Sequence, residues 1–296
     1  MMERYCTIQV DLDGLWVVKR LLGLDGAIEP DPVFEIGLDR LLALFGEFGI
    51  KATFFVVAED LKSEAKTRKL KEIADSGHEI ASHGMTHRYL NSIPESDRFD
   101  EIVSSKKAIE GVFGTKVSGF RAPGFAINKD ASAMLLEAGY LYDSSVLGTY
   151  LAYLVELFSG LSYPKWAMMT APASPYISSP DDIFKRGKGG IAEIPVTTLP
   201  LLRLPIHFSY AALGGRLYCR FMKTVLKNEN PRFVNYLFHP LDLLDGRSIK
   251  IDAKVYGLAK DSRTKMSMAS DILGFFKDRY HIVTSIKMYE IAKDTF

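Results

Sequence analysis

The sequence predicts an α/β fold with a parallel sheet, on three observations. Short β-rich runs alternate with segments of helical periodicity through the first half of the chain. The polar residues with chemical potential fall where those β-rich runs end. The 296 residues exceed an ordinary single domain but suit one α/β barrel. No internal repeat, low-complexity tract or Pro/Gly linker divides the chain, so residues 1–296 read as one domain.

Cys6 to Val10 is β-rich and stops at Asp11. Leu38, Leu41, Leu42, Leu44, Phe45 and Phe48 recur at helical spacing, and Gly49 closes that helix. Residues 51–57 read as a buried strand, 61–75 as a helix ending at Gly77, and 78–82 as a third strand. A helix over 97–113, a strand over 116–120, a helix over 129–138 and a strand-like Tyr140-Leu141-Tyr142 follow. The alternation breaks between about 144 and 190, an apolar insertion whose first part, to Pro180, holds only Glu156 and Lys165 as charges. That part carries Tyr150, Tyr153, Phe158, Tyr163, Trp166 and Tyr176. Residues 193–196 read as a strand, about 199–228 as a basic segment, 233–238 as a strand ending at His239, 267–277 as a helix and 280–284 as a strand.

Lys plus Arg is 37 and Asp plus Glu is 36, giving a net charge of +1. A global electrostatic grip on nucleic acid needs a clear positive excess and is not expected. Cys6 and Cys219 are too few and too far apart for a disulfide framework, and Cys6 reads as a buried thiol. Neither a leader pattern nor an 18-residue apolar span is visible, which points to the cytoplasm.

Four short motifs could carry chemistry. His83-Gly84-Met85-Thr86-His87 places two imidazoles four residues apart, able to face one way on a helical turn and share a metal ion. Val10-Asp11-Leu12-Asp13-Gly14 offers one carboxylate for a metal and one for a base. Arg121 ends one strand, in Gly119-Phe120-Arg121-Ala122-Pro123-Gly124, and His239 ends another, in Tyr236-Leu237-Phe238-His239-Pro240. Taken singly, each has an ordinary reading as a turn, a helix cap or a surface side chain. Their shared position at strand ends, in this order, sets them apart.

This combination resembles the polysaccharide deacetylase family, the NodB-homology or carbohydrate esterase family 4 group. The resemblance covers residues 5–145 strongly and 190–290 more weakly. Asp-Leu-Asp-Gly, Arg-Ala-Pro-Gly-Phe, Tyr-Asp-Ser-Ser and Phe-His-Pro are similar to its divergent intracellular branch, which includes deformylases and allantoinase-like enzymes. The implied fold is a distorted (β/α) barrel of about seven strands. The implied site has Asp13, His83 and His87 holding one divalent metal ion, most often zinc, with an open position for water. Asp11 would be the base, Arg121 its partner, and His239 the acid that protonates the leaving amine. A backbone N–H near Gly124 would help hold the oxyanion. The chain departs from the family in having Leu12 between its two acids. It has Gly124 and Phe125 where a tyrosine is usual after the Pro, and it lacks an evident Asp-with-Trp motif. Asp143 is the candidate for that missing acid. Trp16 either walls the pocket, stacking on a sugar, or belongs to the core. His78 reads as structural, and His207 and His281 have no motif context.

The expected substrate is an N-acylated amino sugar or glycan. No acid occurs from Ile194 to Asn228. Arg216, Arg220, Lys223 and Lys227 share a helix side, as on a barrel helix with a solvated basic face or on a helix lying against anionic lipid. With the aromatic insertion as a lid, this suggests a lipid-linked substrate and peripheral contact with the inner membrane face. The same apolar surface also suits a subunit interface in a homo-oligomer. The alternatives are an allantoinase-like or cyclic-imide hydrolase, and a non-catalytic carbohydrate- or lipid-binding protein on the same fold.

Overall fold

The computed structural model describes residues 3–24, 29–150, 165–200, 203–249 and 258–293. Its order begins β1 (Tyr5–Leu12), α1 (Leu15–Leu21), α2 (Leu38–Phe48), β2 (Thr53–Val56), α3 (Glu64–Asp75), β3 (Glu79–Ser82), α4 (Glu95–Phe113), β4 (Gly119–Phe120), α5 (Ala131–Glu137) and β5 (Tyr142–Asp143). It continues with α6 (Lys165–Thr170), β6 (Tyr176–Ser179), β7 (Asp182–Arg186), β8 (Ala192–Glu193), α7 (Phe208–Glu229), β9 (Phe233–Phe238), α8 (Ser262–Lys277), β10 (His281–Val283) and α9 (Ser285–Ala292). The βα alternation read from the first half is present.

β1 is the centre of the sheet. Its residues Tyr5–Val10 pair in parallel with Phe233–Phe238 of β9 along one edge. Along the other edge its lower half pairs with β10 and its upper half, Gln9–Leu12, with β2. From β2 the sheet runs in parallel through β3, β4, β5 and β8. Among the described residues no strand ladder joins β8 to β9. The seam is crossed by Thr197 N–H to Asn235 O at 3.3 Å, by Asn235 N–H to Thr197 Oγ1 at 2.8 Å, and by an isolated bridge of His207 with Leu237. The architecture is therefore a distorted (β/α) barrel with an unlaced seam.

β1 is buried almost throughout, as a parallel strand covered on both faces requires. Its Ile8 and Val10 join Leu38, Leu41 and Phe45 of α2 and Ile272 and Phe276 of α8 in the largest core cluster. Cys6 and Cys219 are free and buried, as expected of Cys6. His78 is structural: its Nδ1 accepts from Ala52 N–H at 3.0 Å, and its ring packs edge-on against Phe54.

Two expectations change here. The insertion contributes strands: β6 and β7 form an antiparallel hairpin that adds to β8. Tyr176, counted in the expected lid, is wholly buried and donates its hydroxyl to Ile183 O at 2.6 Å. Residues 151–164, with Tyr153, Phe158 and Tyr163, lie outside the described residues. The basic helix exists but its apolar residues split. Cys219, Met222 and Leu226 pack inward, whereas Leu213 and Leu217 are 70% and 80% exposed. A break at Gly215 (φ 68°, ψ −162°) interrupts it. Among the described residues no helix is long and apolar enough to cross a membrane.

Candidate active site and metal centre

The register of the sheet assembles the site. Val10 pairs with Phe238, so Asp11 and His239 follow side by side. Ser82 pairs with Phe120, so His83 and Arg121 also follow side by side. All four thus emerge at the C-terminal end of the sheet, where βα folds place their chemistry.

Asp13, His83 and His87 bring one ligand atom each to within 4.8 Å of one another. Asp13 Oδ1 lies 3.4 Å from His83 Nε2 and 3.3 Å from His87 Nε2. His83 Nδ1 is 2.9 Å from the Arg121 carbonyl, a contact that puts the proton on Nδ1 and leaves the Nε2 lone pair facing the cluster. Asp13 Oδ1 is buried yet accepts no hydrogen bond. A buried carboxylate oxygen without a donor, between two imidazole nitrogens, is what a cation-binding site presents. Two imidazoles and one carboxylate are also a zinc-type donor set. These residues fit a divalent ion.

The two histidines do not share a helical turn. Residues 83–89 form a loop that reverses at Gly84 (φ 81°) and His87 (φ 56°). Glu101 of α4 ties it down, accepting from Met85 N–H and Thr86 N–H at 2.9 Å each and from the Thr86 hydroxyl. Nothing in the sequence marks Glu101, because it sits within an ordinary helix.

Arg121 is fully buried. It donates to Asp11 Oδ1 at 2.6 Å, to Ser144 O and Ser144 Oγ at 2.8 Å each, and to Gln9 Oε1. Its guanidinium carbon lies 4.3 Å from the Phe55 ring centre. Asp11 Oδ2 faces His239 Nε2 at 3.8 Å. On the other side of that ring, His239 Nδ1 is 3.4 Å from Asp242 Oδ2 and 3.2 Å from Ser209 Oγ, which itself donates to Asp242 at 2.6 Å. Burial alone would lower the His239 pKa, but Asp242, Asp11 and Asp13 outweigh it and push it up to about 9. The surrounding carboxylates thus favour the protonated form of the imidazole that faces Asp11.

The pocket over these groups has a volume of about 270 Å³. Val18, Tyr89, Phe125 and Leu241 give it apolar walls. Gly124 and Phe125 also line it. A Cβ on Gly124 would stand 2.6 Å from the Tyr89 ring, so Tyr89 takes up the room beside that position. The Phe125 N–H is committed to Ala122 O at 3.0 Å and is not an oxyanion donor. Asp143 does not reach the pocket. It is wholly buried and accepts from Ser145 N–H at 2.9 Å and Ser145 Oγ at 2.7 Å. Ser145 Oγ in turn accepts from Ala122 N–H at 2.8 Å, so Asp143 supports the turn after Arg121 instead of touching substrate. Glu193 lies beside Asp143, and burial with the neighbouring carboxyl pushes the Glu193 pKa well up. Trp16 does not line the metal pocket either; its Nε1 donates to Asp60 Oδ1 at 2.8 Å on the far side of α1.

Residues 33–142 match the family model described as polysaccharide deacetylase. Over that segment the chain is similar to the polysaccharide deacetylase family. The peptidoglycan deacetylase of Helicobacter pylori is 29% identical over 144 residues, 47% of this chain and 48% of its own length. The chain thus spans about half the length of that curated relative. Among solved structures, a Mycobacterium smegmatis protein described as a polysaccharide deacetylase superposes with a TM-score of 0.65 at 18% identity, covering 99% of this chain and 91% of its own. Puue allantoinase superposes with a TM-score of 0.64 at 13% identity, covering 98% and 90%. Both share the fold. His83, His87 and Arg121 lie inside the polysaccharide deacetylase segment, and the sheet brings Asp11, Asp13 and His239 to them from outside it.

Proposed function

We propose that the protein is a metal-dependent amide hydrolase that removes an acetyl or formyl group from the nitrogen of an amino sugar. The observation that carries this reading is the opposition of Asp11 and His239 at 3.8 Å beside the Asp13–His83–His87 cluster. A zinc ion held by those three would supply Lewis acidity toward an acyl carbonyl and make a water easier to deprotonate. Asp11 Oδ2 takes a proton from the attacking water, while the hydrogen bond from Arg121 to Oδ1 holds the carboxylate in place and aimed. The water oxygen bonds to the acyl carbon. The C–N bond then breaks as His239 gives its Nε2 proton to the departing nitrogen, leaving an amine and a carboxylic acid that loses its proton to solvent, and the proton taken up by Asp11 passes back to His239. Asp242 and Ser209 hold the His239 ring for that transfer. The apolar walls suit an acyl methyl better than a ureide ring, which needs polar partners on every edge.

The test is acetate or formate release from N-acylated glucosamine by zinc-loaded protein. Release that disappears in Asp11→Asn supports the reading. Absence of zinc binding, or unchanged hydrolysis in Asp11→Asn, overturns it.

A second observation bears on where the sugar is presented. Leu213, Leu217 and Phe221 are exposed by 70%, 80% and 44%, on the helix whose first turn brings Ser209 to the pocket. Arg216 and Arg220 flank them. Exposed apolar side chains beside cations favour an anionic lipid surface and a lipid-linked sugar, at the inner membrane face. Flotation with phosphatidylglycerol vesicles, lost in Leu217→Glu, would support this. No flotation, with full activity on a soluble sugar, would refute it.

A further inference from the structure

Four imidazoles line the metal pocket. His83 and His87 belong to the metal cluster and His239 is the acid, which leaves His207 without a task. Its backbone is firmly placed. His207 bridges in parallel with Leu237 of β9, so Ser209 falls level with His239, where their side chains meet at 3.2 Å. As α7 begins, His207 O accepts from Tyr210 N–H at 3.1 Å. The His207 ring packs on that of Tyr210, with centres 4.2 Å apart, and stands 6.3 Å from the His239 ring at 75° to it. A side chain held from both ends in this way is pre-organised for whatever it binds.

The ring has unspent polar capacity. Its Nδ1 is buried and meets no hydrogen-bond partner. Of the two ring nitrogens only Nδ1 is shut in like this, so Nε2 is the one open to the pocket. A buried N–H without an acceptor is rarer in proteins than a buried lone pair without a donor. The proton therefore belongs on Nε2, and the ring presents an N–H to the pocket. Burial and the nearby His239 push the His207 pKa down to about 3, so the ring stays neutral. A neutral imidazole does not give up its remaining proton near neutral pH; it can donate a hydrogen bond but cannot act as a second acid.

Position decides what receives that bond. The acyl oxygen belongs to the side of the Asp13–His83–His87 cluster, and His239 serves the departing nitrogen. His207 stands beside His239, with Asp242 and Asp11 as its nearest anions. Its N–H therefore faces the amine half of the substrate. In an amino sugar the oxygen nearest the nitrogen on that half is the hydroxyl of the adjoining carbon.

We propose that His207 determines specificity by donating from Nε2 to the hydroxyl vicinal to the amide nitrogen, a role that rests on the deacetylase reading above. The site then selects N-acylated amino alcohols over plain amides.

The six histidines can be followed by nitrogen NMR in zinc-loaded protein, with His207→Gln identifying the His207 signals. His207 is expected to stay in the neutral Nε2–H form from about pH 5 to about pH 8. In Asp11→Asn protein, which does not turn over, its Nε2 signal should shift on adding methyl N-acetyl-β-glucosaminide but not on adding the 3-deoxy analogue. In protein with Asp11 intact, His207→Phe should lower kcat/KM for the parent glycoside by about tenfold and leave that for the 3-deoxy analogue within about twofold. His207→Gln, which keeps an N–H, should restore part of the loss, and the preference between acetyl and formyl substrates should not move. An Nδ1–H form, or an equal loss on both glycosides, overturns the role of His207 and leaves the deacetylase reading standing. A shift that depends on the hydroxyl, in a protein that hydrolyses neither glycoside, overturns the deacetylase reading and keeps His207 as a ligand contact. Neither a shift nor hydrolysis overturns both.

Discussion

Arg121 Nη1 donates to Asp11 Oδ1 over 2.6 Å, with both side chains buried. Removing the cation leaves a carboxylate in the interior with its main partner gone. Arg121→Met is expected to destabilise the fold by about 3–5 kcal/mol in urea unfolding. Its hydrolysis should fall by about 10²–10⁴-fold, because Asp11 loses the bond that aims it. Arg121→Lys keeps a charge but cannot serve Asp11, Gln9 and Ser144 together, and should fall between Arg121→Met and the parent protein.

Metal binding should separate the two acids of the first motif. Asp13→Ala, His83→Ala and His87→Ala are expected to lose stoichiometric zinc by elemental analysis, whereas Asp11→Asn should retain it. Chelation of the parent protein should lower its thermal midpoint. Zinc at about 100 times its dissociation constant should return about 2.7 kcal/mol of stability.

The acid His239 has its pKa pushed up to about 9. An acid works while it holds its proton, so kcat/KM should be sustained below that value and fall as pH rises through it. Asp242→Asn removes an anion that raises the value, and the alkaline limb should move to lower pH by about one unit. A pH–rate profile of both proteins decides this. An unmoved limb would remove Asp242 from the acid's support.

Gly37 lies under the corner that carries the acid. A Cβ there would stand 2.4 Å from the Pro240 carbonyl oxygen, one residue beyond His239. Backbone cannot step aside cheaply, so Gly37→Ala should destabilise the fold by about 1–3 kcal/mol. It should also lower kcat more than it changes KM, because the acid moves while the walls of the pocket stay in place. Urea unfolding and steady-state kinetics measure the two effects.

The repeating βα elements were readable because apolar periodicity reports burial directly. β9 occupies the predicted residues 233–238, and β1 contains the predicted Cys6–Val10. The chemical pairs at strand ends were readable for the same reason, since a strand end is a local event. Long-range partners were not. Lys66 meets Asp31 and Asp60 only after folding, and Glu101 reaches the His83–His87 loop from a helix with no mark of its own. The hairpin of β6 and β7 did leave a signal, Pro180-Asp181 between β-rich runs, which the surrounding aromatic residues obscured. Trp16 lies three residues past Asp13 yet faces away from the pocket that Asp13 lines, because α1 begins at Leu15 and turns it outward. Asp143 has the right residue type at a strand end but is turned into the interior, where it braces Ser145.

The pairing of Val10 with Phe238 and of Ser82 with Phe120 means that catalytic spacing is counted along the backbone. Losing one residue anywhere in Tyr5–Val10 would draw Asp11 back by about 3.3 Å and turn its side chain to the opposite face of the sheet. Deletions in β1 or β9 should therefore be as disabling as losing the acid or the base itself. The site is vulnerable to indels along its strands in a way that an inventory of its side chains does not reveal.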